Sequence, residues 1–144
     1  VHMTYEVAKR MRDAGKGGSI VNVTSNAGFM VNHGQPMSPY SSAKAAMNHF
    51  TRCMACELAP YDIRVNGIAP GFFVTNQNRA LLFTEDGTPT ARTEKILRGT
   101  PMNRFGESDE LLGGLLFLLN DKASGFITGV VLPIDGGFSA YSGV

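Results

Sequence analysis

The hydrophobic positions of this chain change period several times, and each change marks an element. Tyr5, Ala8, Met11 and Arg12 follow helical spacing and predict a helix over residues 5–13, stopped by Gly15, Gly17 and Gly18. Ser19-Ile-Val-Asn-Val-Thr24 is a short β-branched apolar run, of the kind that forms a strand buried in a parallel sheet. A polar, glycine-containing loop covers residues 25–37. A long helix is predicted from Ser38 to about Leu58, with Ser38 as N-cap and Pro39 in the first helical position, where its missing N–H costs nothing. Ile63–Ile68 predicts a second strand, ended by Pro70-Gly71. Residues 72–104 are polar and irregular, with two short helices expected over 78–83 and 93–98. Ser108-Asp-Glu-Leu111 opens another helix, with acids in the first turn where the dipole favours them, ending near Asn120. Val130-Val-Leu-Pro-Ile134 predicts a third strand, and Pro133 places it at a sheet edge because proline donates no ladder bond. Strands alternating with helices predict an α/β fold with a parallel sheet of about three strands and flanking helices.

Composition narrows the possibilities without choosing among them. The 144 residues, 43% hydrophobic and 17% charged, suit one domain with a substantial core. A net charge of +1 gives no reason to expect a nucleic-acid partner or an anionic membrane surface. The longest apolar run, Leu111 to Leu119, is broken by Gly113 and Gly114 and is far short of the roughly 20 residues a membrane span needs. Two cysteines, Cys53 and Cys56, make no disulfide framework, so a reducing, cytoplasmic setting is the expectation.

The chemistry concentrates at one helix start. Tyr40 and Lys44 stand four residues apart, on the same face of a predicted helix. A free tyrosine titrates near pH ~10, so acid/base work near neutrality needs a nearby positive charge that favours phenolate. Lys44 can supply that charge. Ser25, at the end of the first predicted strand, offers a hydroxyl that could hold a substrate oxygen against the phenol. The plainer reading is that Tyr40 starts a helix and Lys44 is a solvated charge, and the pair alone does not decide between them.

Six blocks around that pair resemble, in order, the short-chain dehydrogenase/reductase family. They are Gly18-Ser-Ile-Val-Asn-Val-Thr-Ser25-x-x-Gly28, Tyr40-x-x-x-Lys44, Ile63-Arg-Val-Asn-Gly-Ile-Ala-Pro-Gly71 with Val74-Thr75 behind it, Pro101-Met-Asn-Arg-Phe-Gly106, Phe126-Ile-Thr-Gly129 and Asp135-Gly-Gly137. The resemblance implies that Tyr40 is the general acid/base. It implies that Lys44 lowers the phenol's pKa and hydrogen-bonds the nicotinamide ribose, and that Ser25 positions the substrate carbonyl or hydroxyl. Tyr40, Lys44, Pro70, Gly71 and the backbone that follows, including Phe73 and Thr75, would border an NAD or NADP cofactor. Ser42 and Ser38 are weaker alternatives to Ser25. The family also implies a homodimer or homotetramer, with the Tyr40–Leu58 helix packed on its mate.

The same resemblance implies a part that this chain does not contain. No G-x-G-x-x-G run is present, and Gly15-Lys-Gly-Gly18 is followed by a strand where a helix is required. The residue that chooses NAD or NADP is also missing. The expectation is therefore the C-terminal half of a Rossmann-type doubly wound sheet: residues 1–144 as one portion of a single domain, with 72–104 as the segment covering the substrate.

That segment carries Asn76, Gln77, Asn78, Arg79, Arg92 and Arg104. Amides and guanidinium groups suit a hydroxylated, anionic substrate, because arginine grips a carboxylate bidentately; ordinary solvated loop residues are the competing reading. Thr75-Asn-Gln-Asn-Arg-Ala-Leu-Leu82, Thr100-Pro-Met102 and the tail from Phe138 resemble sugar-acid members of the family, of the mannonate/fructuronate or gluconate oxidoreductase type. Asn76, Arg79 and His33 are the candidate substrate contacts. His49, Cys53 and Cys56 share a helix face, but structural zinc needs four ligands and no second cluster exists, so a packing face is expected and no metal. Met47, Phe50 and Met54 are expected in the core. The functional expectation is an NAD(P)-dependent oxidoreductase that interconverts a secondary alcohol and a carbonyl on a polyhydroxylated sugar acid. The alternative is a catalytically incompetent fragment serving as a binding or oligomerisation module. Intact mass and titration with NADH and NADPH separate the two.

Overall fold

The computed structural model describes residues 1–32 and 36–143. Three parallel strands, β1 (Gly18–Val23), β2 (Ile63–Pro70) and β3 (Val131–Ile134), lie in the order β1-β2-β3. Ile20 stands opposite Val65, and Pro70 opposite Ile134. Residues 63–69 of the central strand are all buried, the polar Arg64 and Asn66 among them. Pro133 sits on β3, which pairs on one side only among the described residues, as its missing N–H requires. β1 likewise pairs only with β2, and its last residue, Val23, is 61% exposed.

Helices α1 (His2–Ala14) and α2 (Ser38–Leu58) cover one face of the sheet. Ala8, Met54, Ala55 and Leu58 close on Ile63 and Val65, with Met11, Ile20 and Phe50 packed around them. Gly15 ends α1 in the left-handed region at φ 64°, where its N–H caps the carbonyls of Met11 and Arg12. Helix α5 (Glu110–Leu119) meets the other face. A Cβ on Gly114 would lie 2.8 Å from Ile134 Cδ1, so the glycine break seen in the sequence permits close helix–sheet contact. Short helices α3 (Arg79–Leu82), α4 (Ala91–Gly99) and α6 (Asp121–Ser124) complete the connection from β2 to β3.

Several boundaries differ from the expectation. Met37, not Ser38, is the N-cap of α2; Ser38 is already helical, and no side-chain hydrogen bond caps this end. Helix α5 begins at Glu110, whose carboxylate reaches back to the Glu107 N–H at 2.8 Å, so Ser108 and Asp109 lie in the turn before it. Helix α6 was not foreseen because four residues carry no periodicity; Asn120 Oδ1 starts it by accepting the N–H groups of Lys122 and Ala123.

The polar residues inside β2 have a structural task. Arg64 donates to the carbonyls of Leu118 and Ile127 and pairs with Asp121 at 2.7 Å. Asn66 donates to the Ile127 carbonyl and accepts the Val130 N–H. Thr128 Oγ1 accepts the Val65 N–H, and the Gly129 N–H bonds the Val65 carbonyl. The Arg-Val-Asn and Phe-Ile-Thr-Gly blocks are thus two sides of one contact, which delivers the chain into β3.

Candidate active site

Ser25 follows the end of β1. Thr24 precedes it with both its N–H and its hydroxyl bonded to the Ile68 carbonyl, at 2.8 and 3.1 Å. Ser25 is extended (φ −166°, ψ 152°) and buried, and its side chain caps a 3-10 turn over Asn26–Gly28. Its oxygen accepts the Ala27 N–H at 3.2 Å. A hydroxyl that accepts in this way keeps its own O–H for a further partner.

That turn lies flat on α2. A Cβ on Gly28 would come within 2.5 Å of Asn48 Nδ2 and 2.8 Å of the Lys44 carbonyl carbon and oxygen. Only a residue without a side chain allows this approach. Gly28 therefore sets the distance between the Ser25 turn and the helix carrying Tyr40 and Lys44. Spacing identified the glycine; its contact with the backbone of Lys44 is visible only in three dimensions. Asn48 is buried beneath it, with neither amide atom hydrogen-bonded among the described residues.

Tyr40 and Lys44 stand on successive turns of α2, with Lys44 Nζ 5.6 Å from the centre of the Tyr40 ring. Lys44 Nζ also donates to the Val23 carbonyl at 3.5 Å, two residues before Ser25. Tyr40 is 44% exposed, so its phenol is open to a reacting partner. The structure thus joins Lys44 to the strand end bearing Ser25 and leaves the phenol accessible.

Pro70-Gly71 ends β2 beside the exit of β3. The Gly71 N–H bonds the Ile134 carbonyl at 2.9 Å, and a Cβ there would lie 2.5 Å from Asp135 Cβ. Asp135 in turn accepts the N–H groups of Gly137 and Ser139, so the Asp-Gly-Gly block braces the turn. Phe73 forms a β-bridge with Gly106, its ring filling the space a side chain on Gly106 would need. The Thr75 N–H is held by Asn78 Oδ1 at 2.8 Å, and Asn78 Nδ2 bonds the Phe73 carbonyl.

A cavity of about 420 Å³ opens between the loop after Ser25, the residue after Gly71, α4 and the C-terminal tail. Asn76 and Arg79 do not line it; Arg79 holds its guanidinium 5.5 Å from the centre of the Phe83 ring. Arg104 is engaged elsewhere, in a two-pronged pair with Glu110 at 2.6 and 2.7 Å. That pair holds the Glu110 carboxyl down at about 2, chiefly through the Arg104 hydrogen bonds and then the Glu107 N–H. His33 lies outside the described residues. His49, Cys53 and Cys56 point outward and do not form the expected packing face, because the core side of α2 is taken by Met54, Ala55 and Leu58. No group of three or more metal-ligating side chains occurs among the described residues, and no helix there is long and apolar enough to cross a membrane.

A family model described as enoyl-(acyl carrier protein) reductase matches residues 1–139. An oxidoreductase of Haemophilus influenzae whose reaction is uncharacterised is 55% identical over 129 residues, covering 90% of this chain and 45% of that protein. The crystal structure of a candidate D-mannonate oxidoreductase from the same species, with bound NAD, superposes at a TM-score of 0.84 with 55% identity, over 90% of this chain and 46% of that one. A gluconate 5-dehydrogenase from Burkholderia cenocepacia, in complex with NADP and tartrate, superposes at 0.83 with 35% identity, over 94% and 49%. The chain spans about half the length of the curated relatives it matches.

Proposed function

The chain belongs to the short-chain dehydrogenase/reductase family, and from that premise we propose that it carries the acid/base centre of an NAD(P)-dependent oxidoreductase acting on a polyhydroxylated sugar acid. The observation that carries this reading is the docking of the Ser25 turn, through Gly28, on the helix bearing Tyr40 and Lys44. The similarity to a candidate D-mannonate oxidoreductase and to a gluconate 5-dehydrogenase supports the substrate class.

The residues present fit the nicotinamide end of such a cofactor. Lys44 makes one long hydrogen bond, which leaves two ammonium N–H groups for ribose hydroxyls. The Pro70-Gly71 turn and the Phe73–Thr75 backbone form the adjoining wall. No glycine-rich phosphate turn occurs in the sequence, so the rest of a dinucleotide would be held by residues outside this chain. When bound, the nicotinamide supplies or accepts the hydride.

The chain's own residues handle the proton and the alignment. In the oxidative direction, Tyr40 takes the proton of the substrate hydroxyl as the carbinol hydride departs; in reduction it returns one to the carbonyl oxygen. The Lys44 ammonium stabilises the phenolate formed when the proton leaves. Ser25, with its oxygen tied to Ala27, donates to the same substrate oxygen and fixes its direction. The outward face of α2 with His49, Cys53 and Cys56 is the proposed surface for a second copy.

Tyr40→Phe in the complete polypeptide tests the assignment. Turnover should fall by roughly 10²–10⁴-fold, the usual contribution of a positioned acid/base, while titration with NADH and NADPH shows cofactor binding preserved. Wild-type turnover in that variant would remove Tyr40 from the mechanism. The comparisons do not favour the incompetent-fragment alternative.

A further inference from the structure

The covering segment contains four arginines, and three have evident work. Arg104 is paired with Glu110, Arg79 lies over Phe83, and Arg98 is exposed in the last turn of α4, where the helix dipole favours a cation. Arg92 is different. Among the described residues its Nε is buried without a hydrogen-bond partner, and none of the three ion pairs there uses it. It lines the cavity with Lys95, one turn further along α4, and Lys95 also takes part in none of those pairs.

The remaining lining sharpens the contrast. Ile96, Phe72 and Phe138 give apolar walls, the two rings meeting edge-on at 5.1 Å. No acidic side chain lines the cavity among the described residues. Asn32 presents a buried side-chain oxygen that also lacks a partner among the described residues. Two cations beside apolar walls, with no internal anion, call for an anionic ligand, and an unpaired buried guanidinium N–H is costly until an acceptor arrives. The cavity also lies next to the chemistry. Met30, Val31 and Asn32 continue the Ser25 loop, and Phe72 follows Gly71.

We infer that Arg92 and Lys95 bind the carboxylate of the substrate, with Asn32 reading a hydroxyl, so that this cavity sets the preference for an acid over its neutral polyol. The inference rests on the proposed oxidoreductase reading for the identity of the substrate. It does not need the Asn76 and Arg79 contacts, whose residues lie outside the cavity.

The test uses the complete polypeptide with two matched pairs, D-mannonate against D-mannitol and D-gluconate against D-sorbitol. Wild type should favour the acid in kcat/KM. Arg92→Gln should cut that acid-to-polyol ratio at least about tenfold, equivalent to about 1.4 kcal/mol, chiefly through KM for the acid. Lys95→Gln should move the ratio the same way by a smaller factor, and Arg104→Gln should leave it in place. Thermal stabilisation by each hexonate provides a reading independent of turnover: present in wild type, diminished in Arg92→Gln, with circular dichroism reporting the fold. Should Arg92→Gln fail to fold, Lys95→Gln and Asn32→Ala carry the same two measurements. An unchanged ratio with unchanged hexonate stabilisation overturns the inference, as does the absence of any hexonate effect on wild type. Arg92-dependent stabilisation without turnover leaves the anion site standing and overturns the oxidoreductase reading; Tyr40-dependent turnover indifferent to Arg92 does the reverse.

Discussion

Around Ser25 and Lys44 the chain is held by backbone against backbone. Thr24 bonds Ile68, the Gly28 turn lies on the Lys44 carbonyl, and Gly71 presses on Asp135. Across residues 72–104 backbone bonds, such as the Thr90 N–H to the Leu82 carbonyl, are joined by side-chain ends: Thr93 Oγ1 to the Leu82 carbonyl at 2.6 Å, Arg104 to Glu110, Arg79 over Phe83. The first kind of contact leaves no room for adjustment, because a backbone cannot change rotamer. The second can be re-made one side chain at a time. The proposed reaction centre, which needs its hydroxyl and ammonium in fixed relation, rests on the first kind, and the segment proposed to cover the substrate adds the second.

The sharpest way to break this comparison is Gly28→Ala. The added methyl must displace the Ser25 turn from α2, so stability should fall by about 3 kcal/mol, the upper range for overpacking, and turnover should fall with it. Urea unfolding and kcat measured on the same preparation check both, and wild-type values would show the contact to be soft. Arg64→Leu comes next. It removes the charged hydrogen bonds to the Leu118 and Ile127 carbonyls, which keep only neutral donors, and should cost about 2 kcal/mol, read from the urea midpoint, with the α5–β3 connection losing amide-exchange protection. Thr93→Val removes one buried hydroxyl bond within residues 72–104 and should cost about 1 kcal/mol. Loss there equal to that of Gly28→Ala would erase the distinction between the regions.

The smallest effect is a pH dependence. Glu110 is held at about 2 in the folded chain, below the ordinary ~4.3 of a glutamate. Its contribution to stability is therefore fully present above the unfolded value and is lost as pH falls through the folded one. Between pH ~4.3 and ~2, wild type should lose a larger stability increment than Arg104→Gln, and salt should shrink the difference. Carbon-detected titration of Glu110 in both proteins checks the cause, since the variant should titrate above wild type while the Glu107 N–H still holds it below the ordinary value.

Much of the first region was legible in the sequence because its signals are local. The β-branched run before Ser25, the four-residue step from Tyr40 to Lys44 and Pro70-Gly71 each imply geometry within a few residues. The N-cap of α2 was misplaced because Ser38 looks like a cap by residue type, whereas the chain enters the helix at Met37 without a side-chain bond. The outward face of His49, Cys53 and Cys56 was misread because helical spacing tells which residues share a face, not which face meets the sheet.

By itself the sequence determined the element order and the parallel α/β sheet, since these follow from periodicity, while its resemblance to the short-chain family supplied Tyr40, Lys44 and Ser25 as the proposed proton-transfer residues. Only the tertiary structure decided which polar residues are free to meet a ligand. Arg64 is buried at β2 and pairs with Asp121, Arg104 is claimed by Glu110, and Arg92 is left facing a cavity without a counter-charge among the described residues. Composition cannot separate these arginines, because an arginine's role is set by whichever acceptors the fold brings within hydrogen-bonding reach, and those come from distant parts of the chain.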